Sequence, residues 1–227
     1  MKKGEDMRAR ILEAAERFFY EKGYEDTSVQ DILNVLSLSK GGFYHHFDSK
    51  IRLLEAICDQ KCQMAAQDME KAAEACGGDA VDVLNAVLNA GGLFRKESSD
   101  YLSLLIQVAY KGEGGVLRER MKKYTIRYCN DIMRRVVHRG IEEGVFFSRY
   151  PDEIGELLLS LFANLTDDIA EVFAGGKDSV GRLSEVLSKL NVYRHAVELL
   201  LNAPYGRILI YDMTQLYAAE AGLRQRA

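Results

Sequence analysis

Residues 27 to 50, TSVQDILNVLSLSKGGFYHHFDSK, constrain this chain more than any other stretch, because they specify two short helices, a tight turn between them and the start of a third. Thr27 and Ser28 are N-cap types, and Gln30 or Asp31, three residues on, completes a capping box in either register. The helix so opened has an apolar side of Val29, Ile32, Leu33 and Leu36, and Ser37 breaks the run. Ser39 caps a second short helix whose first turn, Lys40-Gly41-Gly42, has almost no side-chain bulk. Phe43 and Phe47, at i and i+4, anchor that helix to a core and leave Lys40, Tyr44 and His45 outside. A helix-interior glycine costs about 1 kcal/mol relative to alanine, so two in succession imply close approach of the backbone to a phosphate or a base edge. Asp48 or Ser49 caps the next helix, with Lys50 in its first turn. A capped helix pair with a bare, cationic second start is built to enter the major groove of DNA.

The same stretch resembles the N-terminal region of the TetR family of transcriptional regulators. In that family an amphipathic helix precedes a T-[ST]-[VM]-x-x-[IL] start, a turn, and then S-K-G-x-[FL]-Y-x-[HY]-F-x-[SN]-K. The last pattern is matched here by Ser39-Lys40-Gly41-Gly42-Phe43-Tyr44-His45-His46-Phe47-Asp48-Ser49-Lys50. The resemblance covers about residues 7 to 55, and the rest of the chain is similar only in length and helical character. Two positions depart: Leu36-Ser37-Leu38 stands where the family commonly has Ala-Gly-Val, and Ile51-Arg52 where an acidic pair often follows the final lysine. Arg52 thereby joins a helix start that already favours anions. The resemblance implies phosphate contacts from Thr27, Ser28 and Gln30, approach to base edges by Ser39, Lys40, Gly41 and Gly42, and a clamp on the DNA backbone from Tyr44, His45 and Lys50. It also implies a palindromic operator in double-stranded DNA, released when a small-molecule effector binds the larger domain and moves the long helix starting near Asp48. That is the reading of a repressor; the alternatives are an activator without a small ligand, and a helical enzyme or adaptor that keeps the head as scaffold.

Only two prolines and long stripes of period 3.6 give an all-α fold, and 227 residues with 48% hydrophobic content can bury a substantial core. The formal net charge of −4 argues against a nucleic-acid binder judged by the whole chain, and over residues 1–50 the acids and bases nearly balance. Placement decides instead: between Gln30 and Lys50 the acids are Asp31 and Asp48, each at a helix start where it caps. The N-terminus has lysines but no apolar run after them, and no later segment approaches a membrane span, so a cytoplasmic protein without membrane attachment is expected. Cys58, Cys62, Cys76 and Cys129 then read as reduced thiols. Cys58 and Cys62 fall at i, i+4, a spacing that also suits a metal or redox pair, but no His or third Cys follows at zinc spacing. No phosphate loop or nucleophile set accompanies His138 and His195, so neither an enzyme nor a cofactor is expected.

Two units follow: a three-helix DNA-binding head at residues 1–47, and a helical effector-binding and dimerisation domain at 48–227. A first helix from about Glu5 to Lys22 presents Ile11, Leu12, Ala15, Phe18 and Phe19 to the reading helices. Beyond the head, helices are expected over about 48–75, 79–96, 98–111, 116–142, 151–174, 179–202 and 205–221. The helix from Pro151 carries apolar residues on more than one side, which predicts a homodimer through it and the helix ending at Leu200, packed as a four-helix bundle. Residues 117–139 hold Arg118, Arg120, Lys122, Lys123, Arg127, Arg134, Arg135 and Arg139 against Glu119 and Asp131, which reads as a solvated face beside an apolar stripe. Polar groups on or beside otherwise apolar stripes, namely Gln107, Tyr124, Arg127, Tyr128, Asn164 and Asp168, are the candidates for an effector site.

Overall fold

The computed structural model describes residues 2–91, 114–175 and 179–210, and within these every regular element is a helix. The helices are α1 (Lys2–Lys22), α2 (Val29–Leu36), α3 (Lys40–Tyr44), α4 (Lys50–Ala75), α5 (Ala80–Gly91), α6 (Gly114–Glu142), α7 (Ile154–Ala174) and α8 (Ser179–Leu201). The helix expected over 98–111 lies outside the described residues.

Two hydrophobic cores form. The first gathers Ile11, Ala15 and Phe19 of α1, Ile32 and Leu33 of α2, Phe43 and Phe47 around α3, and Leu53, Leu54 and Ile57 of α4. Burying a side chain of this size is worth about 1.5–3 kcal/mol, so Phe43 and Phe47 hold a five-residue helix that has little stability of its own. The second core joins α4, α5, α6, α7 and α8 through residues such as Leu84, Met133, Leu158, Val186 and Leu190. Leu117, near the start of α6, is only 2% exposed and belongs to the first core, whereas Ile132, Met133 and Val137 of the same helix belong to the second. Two long helices, α4 and α6, therefore run through both cores and pack against each other.

Two boundaries differ from the sequence reading. Pro151 to Glu153 form a turn and α7 starts at Ile154, with no side-chain cap, because the chain is still folding back from Tyr150, whose carbonyl accepts the Ile154 N–H at 3.1 Å. The helix expected from Tyr205 is absent over residues 205–210. Instead Asn202 (φ 47°) and Gly206 (φ 78°) turn the chain, and Arg207 to Ile210 run along α5. Asn85 donates to the Arg207 carbonyl (2.8 Å) and accepts from the Leu209 N–H (2.7 Å). Arg207 pairs with Asp79 and Asp82, and Ile208 and Ile210 enter the second core. Asn85 takes the place of a helical partner for this backbone, a tertiary pairing that helix propensity does not contain. The Arg207 guanidinium, more than any other group, holds the Asp79 carboxyl below the ordinary carboxylate range.

Candidate nucleic-acid interface

The reading unit is built from caps. Ser28 and Asp31 form a full capping box: the Asp31 N–H donates to Ser28 Oγ at 3.2 Å, and the Ser28 N–H donates to Asp31 Oδ2 at 2.9 Å. The Ser28 N–H and hydroxyl, then Lys22 at 3.3 Å, hold the Asp31 carboxyl below its ordinary pKa. The α2 C-terminus closes by a Schellman pattern, Leu38 N–H to Leu33 O and Ser37 N–H to Asn34 O, with Ser37 in the left-handed region (φ 51°, ψ 41°). Serine there in place of glycine costs about 1 kcal/mol, and the turn keeps its geometry nonetheless. Ser39 accepts the Gly42 N–H at 3.1 Å and starts α3.

Phe43 is fully buried and α3 therefore presents its other side outward. Ser39, Lys40, Gly41, Tyr44 and His45 are all exposed, Tyr44 by 52%, and Ser28 and Gln30 are exposed at the start of α2. Gln30 is partly engaged, donating to Asn34 Oδ1 at 2.8 Å. The two glycines have different causes. A Cβ on Gly42 would stand 2.7 Å from Leu38 Cδ1 and 3.3 Å from Leu38 Cγ, so any side chain at half-buried Gly42 must push Leu38 aside, a cause within the head itself. A Cβ on Gly41 would meet nothing within 4 Å, so no contact among the described residues explains it.

Thr27 and Lys50 do not present themselves to DNA as expected. Thr27 is 1% exposed, and its hydroxyl donates to the carbonyls of Gly23 (2.8 Å) and Phe18 (3.2 Å), so it ties off the end of α1 and has no surface for a phosphate. Lys50 Nζ donates to the carbonyls of Tyr24 (2.7 Å), Thr27 (3.0 Å) and Glu25 (3.3 Å) and lies 4.2 Å from the Tyr24 ring centroid. An ammonium has three donors, and all are spent on the α1–α2 loop. Burial, then Glu25 and Glu55, push the Tyr24 hydroxyl up to about 12, so the ring stays neutral beneath the ammonium. Charged hydrogen bonds of this kind contribute about 1.5–3 kcal/mol, so Lys50→Ala should destabilise the head by about that amount in urea denaturation. DNA affinity should then lose none of its salt dependence. A salt slope reduced by about 1 per head at unchanged stability would return Lys50 to phosphate contact.

The residues singled out for an effector differ in their settings. Gln107 lies outside the described residues. Tyr124 is half-buried; Tyr128 donates to Asp59 Oδ1 of α4 at 2.9 Å, which raises its pKa; and Arg127 is exposed with its guanidinium 5.5 Å from the Tyr128 ring centroid. Asn164 is exposed, because its stripe with Leu157 faces out of the chain rather than into the second core. Asp168 accepts the Tyr193 hydroxyl at 3.0 Å and pairs with Lys189 at 3.5 Å, so its polar capacity is largely used. Cys58 is buried, and burial pushes the thiols of Cys62 and Cys129 up to about 11 and about 12, which makes them poor nucleophiles. Among the described residues no cluster of metal-ligating side chains occurs and no helix is long and apolar enough to cross a membrane. What the sequence reading missed is an ion cluster that joins α4 to α6 beside the first core: Glu55 of α4, 7% exposed, accepts at one oxygen from Arg52 (2.8 Å) and from Arg120 of α6 (2.9 Å). The signal was an acid between Leu54 and Ile57 on an apolar face, three residues after an arginine.

The sequence of residues 11–57 matches the family model for bacterial regulatory proteins of the tetR family. The HTH-type transcriptional regulator TtgR of Pseudomonas putida is 40% identical over 55 residues, 24% of this chain and 26% of that protein, so the match spans about a quarter of the relative's length. Among solved structures, a TetR-family transcriptional regulator from Pectobacterium atrosepticum superposes with a TM-score of 0.61 at 22% identity, over 90% of this chain and 98% of that one. A regulator from Saccharomonospora viridis in complex with choline gives 0.57 at 22% identity, over 84% and 97%. At such identity the likeness shows the fold, all-α with a helix-turn-helix head and a larger helical domain. Residues 11–57 thus match the tetR family of bacterial regulatory proteins in sequence, and the chain as described shares the fold of solved TetR-family regulators.

Proposed function

We propose that the protein represses transcription by binding a palindromic DNA site as a homodimer, and that a small molecule in the larger domain releases it. The observation that carries the first part is the exposed row of Ser39, Lys40, Gly41, Tyr44 and His45 on a short helix whose other side is locked by buried Phe43 and Phe47. Residues 1–47 are taken as the reading unit and 48–227 as the unit for effector and partner. Ser28 and Gln30 supply phosphate contacts, Ser39 to Gly42 approach base edges, and Tyr44 and His45 hold the backbone. The relatives' common description as regulators sets aside the enzyme alternative.

The effector part rests on the fold, which is shared with a Saccharomonospora viridis regulator solved in complex with a small molecule, choline. Reciprocity governs such a system: a ligand that weakens DNA binding by a given factor is itself weakened by DNA by the same factor. The test begins with DNA. Duplexes selected from a random pool by the purified protein should converge on an inverted repeat, with affinity falling steeply between about 50 and 200 mM salt. A pool that fails to converge, or an affinity flat with salt, would remove the DNA reading.

A further inference from the structure

We infer that Arg52 is a phosphate-contacting residue whose freedom to reach DNA is set by Arg120, through the carboxylate of Glu55 that both arginines share. The inference rests on the DNA-binding reading above and adds to it a route from the larger domain to the head.

Glu55 is 7% exposed, and both guanidinium groups donate to the same oxygen, Oε2. A buried carboxylate left without a cation is strongly unfavourable, so Glu55 must keep one arginine at all times. It has two. Arg120 comes from α6, whose first turns are fixed to the head by Leu117, 2% exposed in the first core, and by Met121 packed beside it. While α6 is seated in this way, Arg120 satisfies Glu55 and the Arg52 contact is dispensable. Arg52 stands in the first turn of α4, just beyond Phe47 at the end of the reading unit, and its side chain is 49% exposed. It can therefore turn outward and add a cation to the DNA surface on which Lys40 is exposed, a place that Lys50, consumed internally, does not fill.

If α6 withdraws, Arg120 leaves with it, and Arg52 becomes the carboxylate's sole cation. The head then loses one phosphate contact without any change in α3. Because α6 continues into the second core through Cys129, Ile132 and Met133, any ligand that shifts this helix is read at Arg52. Arg120 is a positioning residue here, since it touches neither DNA nor base.

The experiment has two arms. In the first, urea midpoints are compared for Arg52→Gln, Arg120→Gln and the double variant. Redundancy predicts small shifts for each single substitution and a shift for the double larger than their sum; additive shifts overturn the inference whether or not DNA is bound. In the second, a duplex selected by the wild-type protein from a random pool is titrated over a range of salt. Arg52→Gln should lower the salt slope by about 1 per head. Arg120→Gln should lower it by the same amount, Arg52→Gln/Arg120→Gln by no more, and Glu55→Gln/Arg120→Gln should restore it, because a neutral side chain no longer holds Arg52. If the wild type binds and Arg120→Gln keeps the full slope, or if Glu55→Gln gives no rescue, this inference fails while the DNA reading stands. A wild type that enriches no duplex overturns the DNA reading itself, and the second arm with it.

Discussion

Replacing Gly41 by leucine is expected to abolish sequence-specific DNA binding while leaving the protein as stable as before, or slightly more so. A Cβ at this position meets nothing within 4 Å, so the larger side chain enters open space on the exposed side of α3. Glycine in a helix is worse than an ordinary residue by about 0.5–1 kcal/mol, so stability alone would favour the substitution. Something outside the chain must oppose it, and the backbone of a helix start pressed against a base edge does so. Losing close approach at one base pair costs about 1–3 kcal/mol, and the dimer loses it twice, so affinity for the selected duplex should fall by 30-fold or more, roughly 2–6 kcal/mol. Fluorescence anisotropy with that duplex, beside a urea melt, is the measurement; unchanged affinity would leave Gly41 without an external cause. Gly42→Ala should behave in the opposite way, because its Cβ would press on Leu38 and Ser39, so its first effect is on the stability of the head.

Much of the head could be read before folding, because its signals are local. Caps act over three residues, and both Ser28 with Asp31 and Ser39 with Gly42 formed as their spacing implies. The apolar stripe of Ile11, Ala15 and Phe19 needed only period 3.6. Local signals misjudged Thr27 and Lys50 for one reason. A polar residue in a DNA-reading pattern carries no mark of whether it faces outward or closes the loop behind it, and here the carbonyls of Phe18, Gly23, Tyr24, Glu25 and Thr27 claimed both side chains.

The larger domain was legible as helices and less so as a site. Periodicity places residues on a face of a helix but not the face in the molecule, so Asn164 and Leu157 shared a stripe correctly and that stripe turned out to be exposed. Asp168 and Tyr128 were polar residues needing partners, and they found them in Tyr193 and Asp59, on helices far away in sequence. Residues 205–210 have apolar side chains among them yet dock as an extended strap, since Asn85 and Asp79 offer this backbone and Arg207 a better set of partners than a helix would have. At Asp168, Tyr128 and the strap, a contact between separate elements decides what a correct local preference could not.

Leu199→Arg is expected to convert the protein to folded monomers and to lower affinity for the full inverted repeat by at least 100-fold. Leu199 is 68% exposed and Val192 65% on α8, while Leu157 of α7 is 46% exposed; one chain alone leaves these side chains in water although Leu158, Val197 and Leu201 beside them are buried. The helix pair α7 and α8 packs together, so its outer face joined to the same face of a second copy makes an isologous four-helix bundle. In such an interface the substitution places an arginine on both sides of the two-fold axis, and an unpaired buried charge costs about 3–5 kcal/mol. In the monomer the same arginine stays in solvent, so the urea midpoint of the isolated chain should not move. Sedimentation at micromolar concentration is the measurement: monomers with wild-type helicity and weak binding to one half-site support the bundle. A wild type already monomeric under these conditions, or a variant that remains dimeric, would move the partner surface elsewhere and leave the exposed leucines to another role.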